Sequence, residues 1–223
     1  MKKFAVIVAG GSGTRMGSAI PKQFLEVRAK PILLHTVKAF IEAFQDIQII
    51  LVLPETYLES AKSIFENLTP SASLSFVKGG ATRFDSVKNG LASVDEEGIV
   101  FIHDAVRCLV TPDLIKRCYQ HAAINGSAIP VVPLRDSLRI IKTNGENEIL
   151  DREIVRAVQT PQTFKTALIK EAFEQPYQTS FTDEASVLGS AGYQVSLLQG
   201  EETNIKVTFP ADLIFAEHIM SVK

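Results

Sequence analysis

Arg15 and Lys22, seven residues apart, sit in and just beyond a segment in which Gly10, Gly11 and Gly13 fall within four residues. Glycine lets a backbone turn sharply and approach a ligand closely, because no Cβ stands in the way. Amides exposed by such a loop point at an anion, and two fixed cations suit the oxygens of a polyphosphate better than a neutral ligand. The chemistry to expect is the binding of a nucleoside triphosphate. Two common phosphate motifs do not account for the loop. A Walker loop needs Gly-Lys-Ser/Thr after its spacer, which is absent, and the dinucleotide fingerprint needs a third glycine where Met16 stands. A tight strand-to-helix turn without a ligand is the other reading of the glycines alone, and the two cations weigh against it.

These residues need a scaffold, and the chain supplies one. The apolar run 4–8 leads directly into the glycine loop, and further runs follow at 47–53, 74–77, 99–102 and 128–132. Each is apolar on consecutive residues rather than alternate ones, as expected of strands covered by helices on both faces. Helical patterns lie between them at 31–44, 55–67, 83–93 and 112–123, with Pro31 opening the first and Thr111 capping the last. The alternation predicts an α/β fold with a doubly wound, mostly parallel sheet. Ligands of such sheets bind beyond the carboxyl ends of the strands, where three motif-like loops converge: Ala9–Gly11, Gly79-Gly80-Ala81-Thr82-Arg83 and His103-Asp104. The second loop opens a helix whose amides and dipole favour an anion. In the third, Asp104 can share a divalent cation with phosphate oxygens, or serve only as a turn or capping residue. His103, beside it, reads as a residue that packs or hydrogen-bonds behind Asp104 and stays outside the site.

Beyond residue 132 the pattern changes. Residues 138–141 and 148–150 read as two short strands around Asn144-Gly145, a hairpin that leaves the core and needs something to pack against. A self-contained surface hairpin is the other possibility. Thr182 could head a helix as its cap, with Glu184 behind it, and a last helix is expected over 210–220.

The run Gly10-Gly11-x-Gly13-Thr14-Arg15-Met16 followed by Pro21-Lys22-Gln23 resembles the signature of nucleotidyltransferases that activate sugar or polyol phosphates. The chain as a whole resembles the 2-C-methyl-D-erythritol 4-phosphate cytidylyltransferase family. The likeness continues through Gly79-Gly80 with Arg83 and Ser86, His103-Asp104-Ala105-x-Arg107, Arg135-Asp136-Ser137, Arg152, Gln159-Thr160-Pro161-Gln162, Thr182-Asp183-Glu184-Ala185-Ser186 and Asn204-Ile205-Lys206. It implies a Rossmann-like nucleotidyltransferase domain spanning 1–223, with residues 137–153 as an arm that clasps a second subunit in a homodimer. It implies catalysis by Arg15 and Lys22, and CTP held by Ala9, Gly10, Gly11, Gly13, Thr14, Gly80, Arg83, Ser86, Asp104 and Ala105. The polyol phosphate would meet Arg107, Thr160, Thr182 and Lys206, with Ser137 and Arg152 reaching across the dimer. Magnesium would be held by Asp104. The reaction so implied is in-line attack of a methylerythritol phosphate on the α-phosphorus of CTP, with loss of pyrophosphate and no enzyme nucleophile.

Three positions depart from the family pattern: Cys108 stands where proline is more usual, Ala81 where an acidic residue often contacts the nucleotide, and Ser137 where threonine is common. Two other functions stay open. A ribitol-5-phosphate cytidylyltransferase shares the glycine loop, His103-Asp104-Ala105 and Thr160-Pro161-Gln162, although residues 133–137 and 182–186 look more like the methylerythritol enzymes. A CTP-binding regulator without turnover is the third, against which Arg15, Lys22 and Asp104 argue.

Composition narrows the field in the same direction. With 223 residues, 46% apolar, and a net charge of −2, the chain can bury one large core and offers no general basic surface for nucleic acid or an anionic membrane. The apolar run after Lys3 is too short for a signal peptide, no stretch is long enough to span a membrane, and Cys108 and Cys118 match no zinc spacing. The expectation is a reduced, cytoplasmic protein.

Overall fold

The computed structural model describes residues 1–11, 20–66 and 73–222. In chain order its strands are β1 (Lys2–Val8), β2 (Glu26–Val27), β3 (Lys30–Pro31), β4 (Gln48–Leu53), β5 (Ser73–Lys78), β6 (Gly98–Asp104) and β7 (Ser127–Pro133), then β8 (Leu138–Ile141), β9 (Asn147–Leu150), β10 (Arg156–Val158), β11 (Gln162–Lys165) and β12 (Leu197–Gln199). The helices are α1 (Ile32–Ala43), α2 (Leu58–Phe65), α3 (Arg83–Ala92), α4 (Pro112–Asn125), α5 (Thr166–Ala172), α6 (Glu184–Ser190) and α7 (Pro210–Ser221).

One sheet, in the order β10-β7-β11-β6-β1-β4-β5 with β12 also on β7, runs through the molecule. The expected α/β architecture is present: β1 pairs in parallel with β4 and β6, and β4 with β5. Alternate residues of the central strands enter two different cores. Ile7, Leu51 and Phe101 face α1, α2 and α4, whereas Val6, Val52 and Ile102 face α3, α5 and α6. This is why those strands read as unbroken apolar runs; each fully buried large side chain contributes about 1.5–3 kcal/mol.

The second half departs from a regular wound sheet. β11 enters antiparallel between β6 and β7, pairing Gln162 with Ile102 and Thr163 with Ala128, and β10 is antiparallel on β7. None of these short strands was expected. The predicted helix over 55–67 is a 3-10 turn at Glu55–Tyr57 followed by α2, and residue 67 lies outside the described residues. Tyr57, at φ −113° and ψ 4°, leaves helical geometry and separates the two. Pro31 belongs to β3 and stands at the cap, so α1 begins one residue later. α4 runs further than predicted, to Asn125, where Gly126 takes φ 86° and ends it.

β8 and β9 form the predicted hairpin, apart from the main sheet. Its loop is closed by Lys142 N–H to Glu146 O at 2.8 Å and Gly145 N–H to Lys142 O at 3.0 Å, with Gly145 at φ 86°. The hairpin carries Ile141 and Ile149, 69% and 75% exposed, and Ile154, 78% exposed, follows it. No helix among the described residues is long and apolar enough to cross a membrane.

Candidate active site

The carboxyl ends of β1, β5 and β6 open onto a cleft of about 370 Å³. Its walls are tied strand to strand: Ala9 N–H donates to Val52 O, Gly79 N–H to Leu53 O and Ala105 N–H to Val8 O, at 2.8 to 3.0 Å. Gln23, 1% exposed, donates its amide to Ala9 O at 2.7 Å and props the start of the glycine loop from beneath. Lys22, 8% exposed, reaches Val207 O at 3.3 Å. Gly13, Thr14 and Arg15 lie outside the described residues.

The β5 loop is built as a cap. The Thr82 hydroxyl accepts from Asp85 N–H while the Asp85 carboxylate accepts from Thr82 N–H, at 3.1 and 3.0 Å, which fixes the first turn of α3. Gly80 N–H donates to Ser86 Oγ at 3.1 Å, and that hydroxyl donates to Thr82 O at 2.9 Å. Gly80 must be glycine for space: a Cβ there would lie 2.9 Å from the carbonyl carbon of Asp85.

Asp104 ends β6 at the cleft and gathers cations. Arg83 NH2 lies 3.2 Å from Oδ1, Lys206 Nζ 2.9 Å from Oδ2, and Arg107 Nε 3.7 Å from Oδ2. Burial pushes the Asp104 carboxyl up, but Arg83, Lys206 and Arg107 together outweigh it and hold the group well below the usual carboxylate range. Arg83 is also paired through NH1 with Glu184, which is 1% exposed. Burial pushes the Glu184 carboxyl above its ordinary value, against the pull of Arg83. Three cations and two carboxylates therefore meet at one end of the cleft, an arrangement suited to receiving added anionic oxygens.

Behind Asp104, His103 is fully buried, and burial drives it down to about 3. It is neutral, so its two contacts define one arrangement: Nε2–H donates to Arg107 O at 3.3 Å, and Nδ1 accepts from the Thr160 hydroxyl at 2.9 Å. Thr160 Oγ in turn accepts from Asp104 N–H at 3.1 Å.

Of the residues singled out from sequence, Ala9, Gly10, Gly11, Lys22, Gly80, Arg83, Ser86, Asp104 and Lys206 line the cleft. Others do not. Ala105 is 1% exposed and contributes only backbone, its carbonyl accepting from Thr36 Oγ at 2.7 Å. The resemblance implies that Thr160 faces the polyol phosphate; instead the residue is buried, 4% exposed, and its hydroxyl is engaged by His103 and Asp104 N–H. Arg107 turns its guanidinium to backbone, donating to Asn204 O at 2.8 Å, and so ties the Lys206 segment to the β6 loop. Thr182 is not the helix cap: the Asp183 carboxylate accepts from Ser186 N–H at 2.9 Å, and Gln162 holds its other oxygen at 2.8 Å. Ser137 and Arg152 are exposed at the base of the hairpin, where Arg152 donates to Arg135 O at 2.6 Å in its own chain. Gln23, His103 and Glu184 lie within the family-like motifs, yet nothing in the sequence points to them as parts of the site, and only their burial marks them out.

The comparisons with known proteins agree on a family. The model described as "IspD: 2-C-methyl-D-erythritol 4-phosphate cytidylyltransferase" matches residues 4–222. The chain belongs to this family. Among its relatives, the Bacteroides thetaiotaomicron protein of that name is 46% identical over 96% of this chain and 97% of its own length. A "Bifunctional enzyme IspD/IspF" of Desulfotalea psychrophila is 41% identical over the whole of this chain, which spans 58% of it. Among solved structures, the family member from Thermus thermophilus is 31% identical with a TM-score of 0.77, covering 99% of this chain and all of that one.

Proposed function

We propose that this protein transfers a cytidylyl group from CTP to 2-C-methyl-D-erythritol 4-phosphate, giving 4-diphosphocytidyl-2-C-methyl-D-erythritol and pyrophosphate. The observation that carries this reading is the cationic end of the cleft, Arg83, Lys206 and Arg107 around Asp104, in a chain that matches the family from residue 4 to residue 222. Named relatives over nearly the whole chain favour the methylerythritol acceptor over ribitol phosphate and over a silent regulator.

Mechanistically, two anions must be brought together. A phosphate monoester is already largely dianionic near neutral pH, so its attack on the α-phosphorus needs neither a general base nor a covalent intermediate. The glycine loop, Gly80 and Ser86 seat the nucleotide. Arg15 and Lys22 neutralise charge developing on the α-phosphate and the departing pyrophosphate. Lys206, 41% exposed in its side chain, exchanges Asp104 for the acceptor's phosphate. Among the described residues no group of three or more His, Cys, Asp or Glu gathers to hold a metal. A single carboxylate is nonetheless the share that magnesium takes when phosphate oxygens supply the rest, and Asp104 fits that role once a triphosphate lies beside its three cations. Magnesium bound there would supply charge neutralisation on the phosphates.

The protein is further read as a cytoplasmic homodimer of single-domain chains (residues 1–223), joined by the 137–153 arm. The exposed isoleucines of that arm support this, and so does the need of an isolated hairpin for packing. Ser137 and Arg152 then serve the neighbour's site.

Pyrophosphate release from CTP and magnesium, with 2-C-methyl-D-erythritol 4-phosphate or D-ribitol 5-phosphate as acceptor, tests the reaction. Turnover is expected with the first; preference for the second overturns the assignment. Mixing an Arg15→Ala chain with an Arg152→Ala chain tests the arm, since a mixed dimer would hold one site with both arginines. Recovered activity supports sharing, and verified exchange without recovery refutes it.

A further inference from the structure

Glu184 is a buried carboxylate that neither nucleotide nor acceptor binding explains. It stands first in α6, where a glutamate ordinarily lies in water and favours the helix dipole. Here it is 1% exposed and faces a single cation. Arg83 grips it with both terminal nitrogens, NH1 to Oε1 and NH2 to Oε2, the latter at 3.2 Å. The other edge of the same guanidinium, Nε and NH2, lies 3.3 and 3.2 Å from Asp104 Oδ1. Arg83 is thus a planar link between two carboxylates, one sealed in the protein and one opening onto the cleft.

The link has a direction. Its buried end is anchored independently of Arg83, because Gln162 in β11 accepts from Ala185 N–H and donates to Asp183, both at 2.8 Å. Its open end fixes Oδ1 of Asp104 and leaves Oδ2 to Lys206 at 2.9 Å, with Arg107 Nε farther off at 3.7 Å. Losing the Glu184 charge frees Arg83 to follow Asp104 or to move into the cleft, and either motion shifts where Lys206 rests.

We infer that Glu184 is a positioning residue: through Arg83 it orients Asp104, and through Asp104 it sets the starting place of Lys206 for the acceptor's phosphate. This rests on the cytidylyl-transfer reading above. It is distinct from binding, since no part of Glu184 needs to touch either substrate.

A double-mutant cycle decides it. The wild-type enzyme is assayed first with CTP and 2-C-methyl-D-erythritol 4-phosphate; if it does not turn over, the proposed function fails and the cycle says nothing against Glu184. With turnover established, Glu184→Gln is expected to lower kcat/KM for the acceptor about 30-fold while KM for CTP moves less than about threefold. In a Lys206→Met background the same change should cost less than about threefold, because the route through Lys206 is already cut. Glu184→Asp keeps the charge but withdraws it by one methylene, and should fall between wild type and Glu184→Gln, providing the series if Glu184→Gln folds poorly. Equal losses in both backgrounds, or a folded Glu184→Gln enzyme within twofold of wild type for the acceptor, overturn the inference.

Discussion

Replacing Gly80 by alanine tests whether the nucleotide loop is held in place by contact with α3. The added Cβ would stand 2.9 Å from the carbonyl carbon and 3.1 Å from the Cα of Asp85, with the Asp85 Cβ nearer still, whereas ordinary contact begins near 3.4 Å. The obstacle is backbone, fixed by the Thr82–Asp85 capping box, so it has no flexible end to swing away. Overpacking of this kind costs about 1–3 kcal/mol. If α3 yields, about 2 kcal/mol lowers Tm by roughly 4–8 °C in a chain of this size. If the loop yields instead, Gly80 N–H leaves Ser86 Oγ and the nucleotide seat opens, raising KM for CTP by up to about 30-fold for the same energy. Thermal melts and CTP-dependent pyrophosphate release read both outlets. Gly189→Ala is the control: it lies in α6 with nothing within 4 Å of its added Cβ, so alanine should raise Tm by about 2–4 °C through helix propensity. A Gly80→Ala enzyme with unchanged Tm and unchanged KM for CTP refutes the reasoning.

Three other outcomes are expected. Arg28 and Ala29 turn the β2–β3 hairpin with φ of 52° and 54°, so Ala29→Gly should raise Tm by a degree or two, glycine's extra unfolded-state entropy offsetting part of the roughly 1 kcal/mol of relieved strain; a lower Tm counts against strain there. His103 holds a folded pKa of about 3 against an ordinary 6.5, so the unfolded chain binds the extra proton as pH falls below 6.5 and stability is lost. Relative to His103→Gln, the wild type should lose about 2–3 kcal/mol between pH 6.5 and 4.5 in urea titrations, the contribution of Glu184 cancelling in the comparison, and parallel curves would exclude a neutral buried imidazole. Lys206→Met should lower kcat/KM for the acceptor about 100-fold with little change in KM for CTP; equal loss for both substrates would place Lys206 in the nucleotide's path.

What could be read from the chain follows from how its residues are buried. Strands β1, β4 and β6 announce themselves because both faces enter apolar cores, α4 because Thr111 caps it, and α3 because its helical pattern follows directly on a glycine loop; the Thr82 cap of α3 is seen only in the structure. β11 gives no such signal: Gln162 and Thr163 are buried by hydrogen bonding rather than by apolarity, and a four-residue strand offers no period to detect. The cleft residues on the β1, β5 and β6 loops follow from strand ends plus glycine and charge. Thr160, Arg107 and Glu184 could not be placed that way, because their partners are 57, 97 and 101 residues distant in the chain. A threonine in a motif looks the same whether it faces a ligand or a histidine.

The antiparallel intruder has a consequence for how the chain is made. β6 and β7 are consecutive strands joined by α4, yet they do not pair; β11 occupies the space between them. Until residue 165 has left the ribosome, that space is a slot about two strand spacings wide, roughly 10 Å, walled by two unsatisfied edges. A nascent chain halted in this interval can close the slot by pairing β6 directly with β7, the connection that a right-handed crossover favours. Completing the native sheet then requires undoing that pairing. Synthesis speed through residues 134–165 therefore bears on the yield of correctly threaded protein, and ribosome-stalled chains ending before and after this stretch should differ in protease resistance at β7 while matching at β1 and β4.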